Sequence, residues 1–433
     1  MATPLPIVKP DAAERFSRIC SDCGICTSSL RPHVKEACAF LVQKYDELEL
    51  TVQGHARRAG TDEVYFGPYK KILRVRRQRP IAGAQWTGVV TTIAMRALEQ
   101  GLVEGVILTG TEPGTLNKPQ PVLARTPEEV LACRGNKFGL SPTLEKIDDA
   151  IAAGLKRVMV VGTPCQFHAL RVIESTLPFD ELWCLGILCS DNTTHENYMT
   201  FLKSVSRSPD TVVHMEFMPD FRLWMRHTNG EVEKLNFVEI PMHEIGPDLI
   251  APSCRVCFNY TNSLADLSVG YMGGGMPDNQ WLLIRNAKGW RLLDLIRDDV
   301  ELSEPTESGS RALAMKGFLS QLGKPYTKGA PRPVKKLIAF LQRRFGPRGL
   351  EFARTRVEMK LAEGLFTVRR KAGHREALLV PRYAYVPLEK YVLPGETQPP
   401  RPPVGVKRPR RLATLGKPVK DRILESSDPV GVG

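Results

Sequence analysis

Short apolar runs alternate with amphipathic stretches through the middle of the chain. VEGVILTG (103–110), RVMVVG (157–162) and ELWCLGILC (181–189) read as buried strands. Between them lie helical patterns with their own start signals. GAQWTGVVTTIAMRALEQG (83–101) is a loop running into a helix, with Thr87 as N-cap and Gly101 as stop. TPEEVLA (126–132) opens with Thr126 as cap, Pro127 in the first turn and acids behind it. SPTLEKIDDAIAAG (141–154) has a similar start, Ser-Pro in place of Thr-Pro, and a Gly/Pro loop carrying Cys165 leads from the 157–162 strand into another helix. Strands separated by helices predict an α/β (α+β) fold, a mixed sheet core flanked by helices.

After residue 210 the pattern changes. Apolar and polar positions alternate around Asn229-Gly230, a hairpin signal. KKLIAFLQRRFG (335–346) is a basic amphipathic helix, and the Pro- and Arg-rich residues from 395 predict a poorly ordered tail. The expected organisation is a cysteine-bearing segment (1–50), an α/β core (51–210), a β-rich part (211–330), a basic helical region (331–394) and a flexible basic tail (395–433).

Composition narrows the class. A chain of 433 residues with 42% hydrophobic and 25% charged residues is long enough for two or three domains and balanced as a soluble globular protein is. No apolar run reaches the roughly 18 residues of a membrane span. The net charge is +13, and residues 331–433 hold 23 of the 60 Lys and Arg but only 9 of the 47 Asp and Glu. The excess of positive charge therefore sits in the last quarter, which suggests docking to an acidic protein or an anionic membrane surface. No nucleic-acid recognition fold is visible, so nucleic acid is not an expected partner. The first residues lack the n-region and apolar core of a signal peptide and an Arg/Ser-rich transit stretch. The expected compartment is a reducing cytoplasm, with a peripheral contact to an anionic membrane open to the basic helix.

In such a compartment clustered cysteines bind metal more often than they pair. Cys20, Cys23 and Cys26 fall at two-residue gaps, with Cys38 one helix away. Three thiolates so spaced can wrap one face of a cubane, and the loop amides can offset its negative charge. A structural zinc would also accept four thiolates, although it usually uses two separated pairs. Cys254 and Cys257 form a lone pair. Cys165 and Cys189 both follow strands, at the carboxyl ends where α/β sheets bind ligands. These four make a second thiolate site, with buried core cysteines as the alternative for Cys165 and Cys189. Cys133 and Cys184 read as ordinary packing residues.

CSDCGICTSSLRPHVKEACAFL, GAQWTGVVTTIA, PVLARTPEEVLACRGNK, GTPCQFHALR, IAPSCRVCFNYTNSLADLSVGYMG and GPRGLEFAR, in that order, resemble a known family. It comprises the ferredoxin-dependent divinyl (proto)chlorophyllide 8-vinyl reductases and the 7-hydroxymethyl chlorophyll a reductases, related to the β subunit of coenzyme-deazaflavin-reducing hydrogenases. The resemblance covers roughly residues 17–390. It implies an oxidoreductase with one FAD and two [4Fe–4S] clusters. Cys20, Cys23, Cys26 and Cys38 would hold one cluster, and Cys165, Cys189, Cys254 and Cys257 the other. It implies ferredoxin as an acidic electron donor and a chlorophyllide-type tetrapyrrole as substrate. The reaction expected is reduction of the 8-vinyl group to ethyl in chlorophyll biosynthesis, the absence of a transit peptide favouring the prokaryotic branch.

No GxGxxG fingerprint follows a strand, so the flavin needs another anion site. The helix opened by Gln85, Thr87, Gly88, Val89, Thr91 and Thr92 offers a close-approach glycine, hydroxyls and free N–H groups. An ordinary capped amphipathic helix would look the same, and the resemblance decides for the flavin. Arg125, Arg134, Asn136, Lys137 and Ser141 are further candidates, and Gly162 and Thr163 lead to Cys165. No catalytic proton donor is identifiable. His168 is one candidate, with surface packing as its alternative, and His33, His195 and His243 have no better claim. Phe258, Tyr260, Tyr271 and Met272 are offered as walls of a tetrapyrrole slot, with plain core packing as the commoner alternative. Lys335, Lys336, Arg343 and Arg344 are offered for ferredoxin or membrane docking.

Overall fold

The computed structural model describes residues 19–218, 222–245, 249–272, 279–325 and 330–403. The expected tail lies outside the described residues from position 404 onward.

Eight strands form the central sheet: β1 (Lys71–Arg77), β2 (Gly105–Thr111), β3 (Pro119–Ala124), β4 (Arg157–Gly162), β5 (Glu181–Ile187), and later β9 (Leu267–Gly270), β10 (Gln280–Ile284) and β11 (Val300–Ser303). Their order is β11-β1-β10-β9-β5-β4-β2-β3. The four strands β2, β4, β5 and β9 run parallel, and the pairs outside them are antiparallel. The sheet is therefore mixed, and it takes strands from both the 51–210 and the 211–330 segments. A separate antiparallel sheet, β6 (Val212–Phe217), β7 (Arg222–His227) and β8 (Val232–Asn236), turns at Asn229-Gly230.

Period-two alternation explains why both faces of the central sheet are covered. Val158, Val160, Leu182 and Cys184 point to one apolar core, while Met159, Trp183 and Leu185 point to the other. The second core is closed by α1 (Val89–Glu99), through Val89, Ile93 and Ala97. The first is closed by α2 (Pro164–Ile173) and by the long α4 (Leu350–Ala372), through Val357, Leu361 and Leu365. Ile25, Leu30, Ala37 and Phe40 of the cysteine-bearing segment join that same core, so this segment is packed onto the body. Each fully buried side chain of this kind stabilises by about 1.5–3 kcal/mol. Between α2 and α4 in the chain, α3 (Arg332–Phe345) carries the basic residues.

Fully buried Arg285 is held by the Phe66, Pro68 and Thr261 carbonyls and Ser268, whereas Arg171 is paired with a carboxylate. Asp266 accepts from Arg171 Nη2 (2.8 Å), the Cys184 amide (2.7 Å) and Asn286 Nδ2 (2.9 Å). This carboxylate ties α2, β5 and the start of β9 together.

Two local readings need correction. Gly88, not Thr87, caps α1, with φ +91°. The Thr87 hydroxyl instead accepts the Arg77 amide at 3.0 Å, which fixes the end of β1. Ser141 does not cap a helix either: a 3-10 turn at Thr143–Glu145 intervenes, and the Ser141 hydroxyl accepts from Thr109 and Thr143. Thr126 caps as the pattern predicts, accepting from the Glu129 amide.

Candidate functional site

The site lies at the carboxyl ends of the parallel strands β2, β4 and β5. Beyond β4, Thr163 begins α2 with a capping box: the Gln166 side chain accepts the Thr163 amide at 2.8 Å. Pro164 at the first helical position leaves Cys165 in the opening turn, where Thr163 Oγ1 lies 3.2 Å from its Sγ. Beyond β5, the Cys189 amide donates to the Tyr260 carbonyl at 3.1 Å. The Asn192 amide donates to Cys254 Sγ at 3.3 Å, and Ala251 N–H returns to the Asn192 carbonyl. These bonds hold the 188–192 loop against the segment carrying Cys254 and Cys257.

The first cysteine segment is a tight wrap. Gly24 has φ +102°, and a Cβ there would stand 2.4 Å from the Pro142 carbonyl oxygen. The Leu144 amide donates to the Cys23 carbonyl at 2.9 Å, Thr27 donates to Glu145, and Ser29 donates to Asp148. The Asp22 amide points at Cys20 Sγ (3.3 Å).

The thiols fall into two groups that feel each other. Cys20 is raised to about 11, first by burial and then by the charges of Asp22, Cys26 and Cys38. Burial raises Cys23, Cys26 and Cys38 as well, and Cys23 is also opposed by Cys165, Cys38 and Cys26. In the other group burial lifts Cys189, Cys254 and Cys257, the last to about 11, with mutual repulsion among them and Cys165. Cys165 thus acts on Cys23 and Cys38 as well as on Cys189, Cys254 and Cys257. Thiols so disfavoured as bare anions are suited to cations that displace their protons. Lys360 of α4, buried and paired with Asp191 at 2.5 Å, supplies one positive charge beside Cys254 and Cys257. Among the described residues no group of three or more His, Cys, Asp or Glu side chains is set to hold a single metal ion.

Next to these thiols opens a cleft of about 1160 Å³, its mouth included, whose walls carry Cys165, Cys189 and Cys254. Gln85, Gly88, Thr91, Arg134, Asn136, Lys137, Ser141 and Thr163 also line it. Five residues offered for the flavin do not. Thr87 is spent on β1, Val89 is core, and Thr92 returns its hydroxyl to the Gly88 carbonyl at 2.9 Å. Arg125 is exposed at the far end of β3, donating to the Glu104 carbonyl, and Gly162 is packed under Phe167. Arg134 braces the wall by donating to the Ala82 carbonyl at 2.8 Å. Lys137 is held by the carbonyls of Cys133, Arg134 and Gly135, and burial lowers it to about 8. Cys133 lines the cleft too, whereas Cys184 is fully buried in β5.

Two features of the site were not read from the sequence, Gln280 and the partners of Tyr271 in an aromatic row. Gln280, at the start of β10, lines the cleft, and its Oε1 is buried without a hydrogen-bond partner. Only its place in the sheet brings it there. Trp86 adopts φ +54°, unusual for a non-glycine residue, with its amide donating to Glu216 at 3.0 Å. It stacks on Tyr271 (5.0 Å between centroids), which meets Phe352 at 6.1 Å. These three half-exposed rings make an aromatic row beside the cleft. Phe258, Tyr260 and Met272, by contrast, are core. His168 is also structural: its Nδ1 faces the Ala37 carbonyl at 3.0 Å and its Nε2 accepts the Lys44 amide at 2.8 Å, and burial lowers it to about 4. His33, His195 and His243 do not line the cleft.

Comparison with known proteins agrees with this architecture. The matching family is described as coenzyme F420 hydrogenase/dehydrogenase, beta subunit; residues 72–148 match its N-terminal part and residues 155–308 its C-terminal part. An uncharacterized protein of Nostoc sp. is 40% identical over 390 residues, covering 89% of this chain and 97% of the relative. The chloroplastic 7-hydroxymethyl chlorophyll a reductase of Oryza sativa subsp. japonica is 38% identical over 395 residues, covering 88% and 84%. In the F420-reducing [NiFe] hydrogenase complex from Methanosarcina barkeri, one chain shares the fold with a TM-score of 0.53 at 21% identity, over 72% of this chain and 94% of that one. The class is thus an α/β oxidoreductase whose cleft opens at the ends of parallel strands. The chain belongs to the coenzyme F420 hydrogenase/dehydrogenase beta-subunit family.

Proposed function

We propose that this chain is an iron–sulfur flavoenzyme of chlorophyll biosynthesis that uses reduced ferredoxin to reduce the 8-vinyl group of divinyl chlorophyllide or protochlorophyllide to ethyl. The observation that carries the redox part is that Cys165, Cys189 and Cys254 line one cleft while the charge of Cys165 is also felt by Cys23 and Cys38 of the first group. The rice relative, named for a chlorophyll a derivative, supports the tetrapyrrole part.

Cys20, Cys23, Cys26 and Cys38 would hold one [4Fe–4S] cluster, and Cys165, Cys189, Cys254 and Cys257 the second. The spacing supports a cluster over zinc at the first group: Cys20, Cys23 and Cys26 stand at successive two-residue gaps, whereas a structural zinc usually uses two separated pairs. FAD would be held by Gln85, Gly88, Thr91, Arg134, Asn136, Lys137, Ser141 and Thr163. Two observations support the fit. Lys137 is a half-buried cation whose partners are carbonyls, and the Gln280 acceptor lacks a donor. When bound, the clusters accept electrons singly and the flavin releases them in pairs.

The chain's own residues supply position and charge. Gly88 opens α1 at the cleft, with Ile81 and Ala84 packed where its Cβ would stand, and Lys137 Nζ would place positive charge near a bound diphosphate or reduced ring. Lys360 offsets the negative charge of the second thiolate group. Trp86, Tyr271 and Phe352 offer a flat apolar row, the surface a planar macrocycle stacks on. Vinyl-to-ethyl conversion consumes two electrons, from two reduced ferredoxins, and two protons from solvent. Ferredoxins are acidic, and the basic last quarter of the chain would steer them.

A second reading, reduction of the 7-hydroxymethyl group, is favoured by the rice relative's name. The deciding experiment is an anaerobic assay with reduced ferredoxin and each pigment. The 8-ethyl product from the divinyl pigment upholds the first reading. Turnover of the 7-hydroxymethyl pigment alone installs the second, and turnover of a deazaflavin alone overturns both.

A further inference from the structure

We propose that α3 is an interfacial helix that seats this protein on an anionic lipid surface. The inference is independent of the redox reading.

The helix Arg332–Phe345 leaves its apolar residues uncovered. Val334, Leu337, Ile338, Leu341 and Phe345 are all exposed, Leu337 at 57% and Phe345 at 66%. At 3.6 residues per turn these five fall within an arc of about 100° along the helix. Phe340, also 57% exposed, lies beyond that arc, with exposed Arg344 at its border between Leu337 and Phe340. A single exposed leucine is ordinary on a soluble protein. Five large apolar side chains in one arc of a short helix form a patch that marks an interaction site.

Charge identifies the occupant. Between Lys324 and Arg348 the sequence has eight Lys and Arg residues and no Asp or Glu. Within the helix, Lys335 and Lys336 stand off the apolar arc, and Lys336 is exposed. An acidic soluble protein would satisfy the cations but leave the leucines and phenylalanines in water. A second copy of the chain would cover the apolar stripe while bringing like charges together. A bilayer with anionic headgroups satisfies both, with the apolar arc among the acyl chains and the cations at the phosphate level. No described helix is long and apolar enough to cross a membrane, so the contact is a surface one. After α3 the chain passes through Gly346–Gly349 into α4, the helix carrying Lys360 beside the second thiolate group. The docking element is thus next in sequence to the site, which suits an apolar substrate dissolved in the same membrane.

The test is co-sedimentation of the full chain with vesicles of phosphatidylcholine alone and with about 30% phosphatidylglycerol. The expected result is at least tenfold stronger binding to the anionic vesicles, weakened by salt. Leu341→Gln with Phe345→Gln should abolish binding to them, and Lys335→Glu with Lys336→Glu should remove the preference for anionic lipid. Lys336, Leu341 and Phe345 are exposed and Lys335 is half-buried, so circular dichroism of each variant should be unchanged. Three outcomes overturn the proposal: no binding to either vesicle, binding that both double variants retain, or a concentration-dependent dimer that the Leu341/Phe345 variant dissociates, which would make the stripe a self-interface.

Discussion

Gly24→Ala tests whether the first cysteine loop is held by close backbone contact. Gly24 has φ +102° and ψ −12°, and an added Cβ would meet the Pro142 carbonyl oxygen at 2.4 Å and the Glu145 amide nitrogen at 2.7 Å. Two costs combine. The left-handed conformation costs an L-residue about 1–2 kcal/mol. Overlap with backbone atoms, which cannot swing aside as a flexible side chain can, adds about 1–3 kcal/mol. The matched control is Gly54→Ala. Gly54 has φ +79° at the end of the Tyr45–Gln53 helix, but nothing lies within 4 Å of its added Cβ. It should carry the conformational cost alone. Thermal unfolding under anaerobic conditions should therefore rank wild type above Gly54→Ala above Gly24→Ala. Iron analysis should separate them further: the control keeps the wild-type iron content, and Gly24→Ala loses about half, because Cys23 and Cys26 flank the displaced residue while the Cys165 group is untouched. Equal melting temperatures and full iron in Gly24→Ala would refute the packing argument.

Two further predictions rest on single buried groups. His168 is lowered from 6.5 to about 4 by burial, so the unfolded chain binds the extra proton first. Its contribution to stability is complete above pH 6.5 and is lost as pH falls through 4, amounting to about 2 kcal/mol already at pH 5. His168→Gln should lower stability at pH 7 yet flatten the pH dependence between 7 and 5, measured by denaturant unfolding; an unchanged slope would contradict the assignment. Gln280→Leu removes the unpaired acceptor on the cleft wall. It should weaken flavin retention on gel filtration severalfold with iron content unchanged, and full retention would place the flavin away from Gln280.

Much of this protein was legible as sequence because the signals are local. The run Cys20–Cys23–Cys26 declares a wrapping loop, Thr126-Pro127 declares a helix start, Asn229-Gly230 a hairpin, and the unbroken basic stretch around α3 an amphipathic element. Each depends on residues a few positions apart, whose geometry backbone sterics fix. Local rules also misled where tertiary partners competed: the Thr87 hydroxyl capped no helix because the Arg77 amide at the end of β1 took it. The tertiary structure alone decided the rest. It brought Cys165 within reach of both cysteine groups, and it set Gln280 into the cleft wall. It also locked His168 between two backbone groups more than 120 residues away. Strand order is set by long-range pairing and by which apolar faces can be buried together, a condition no window of neighbouring residues contains.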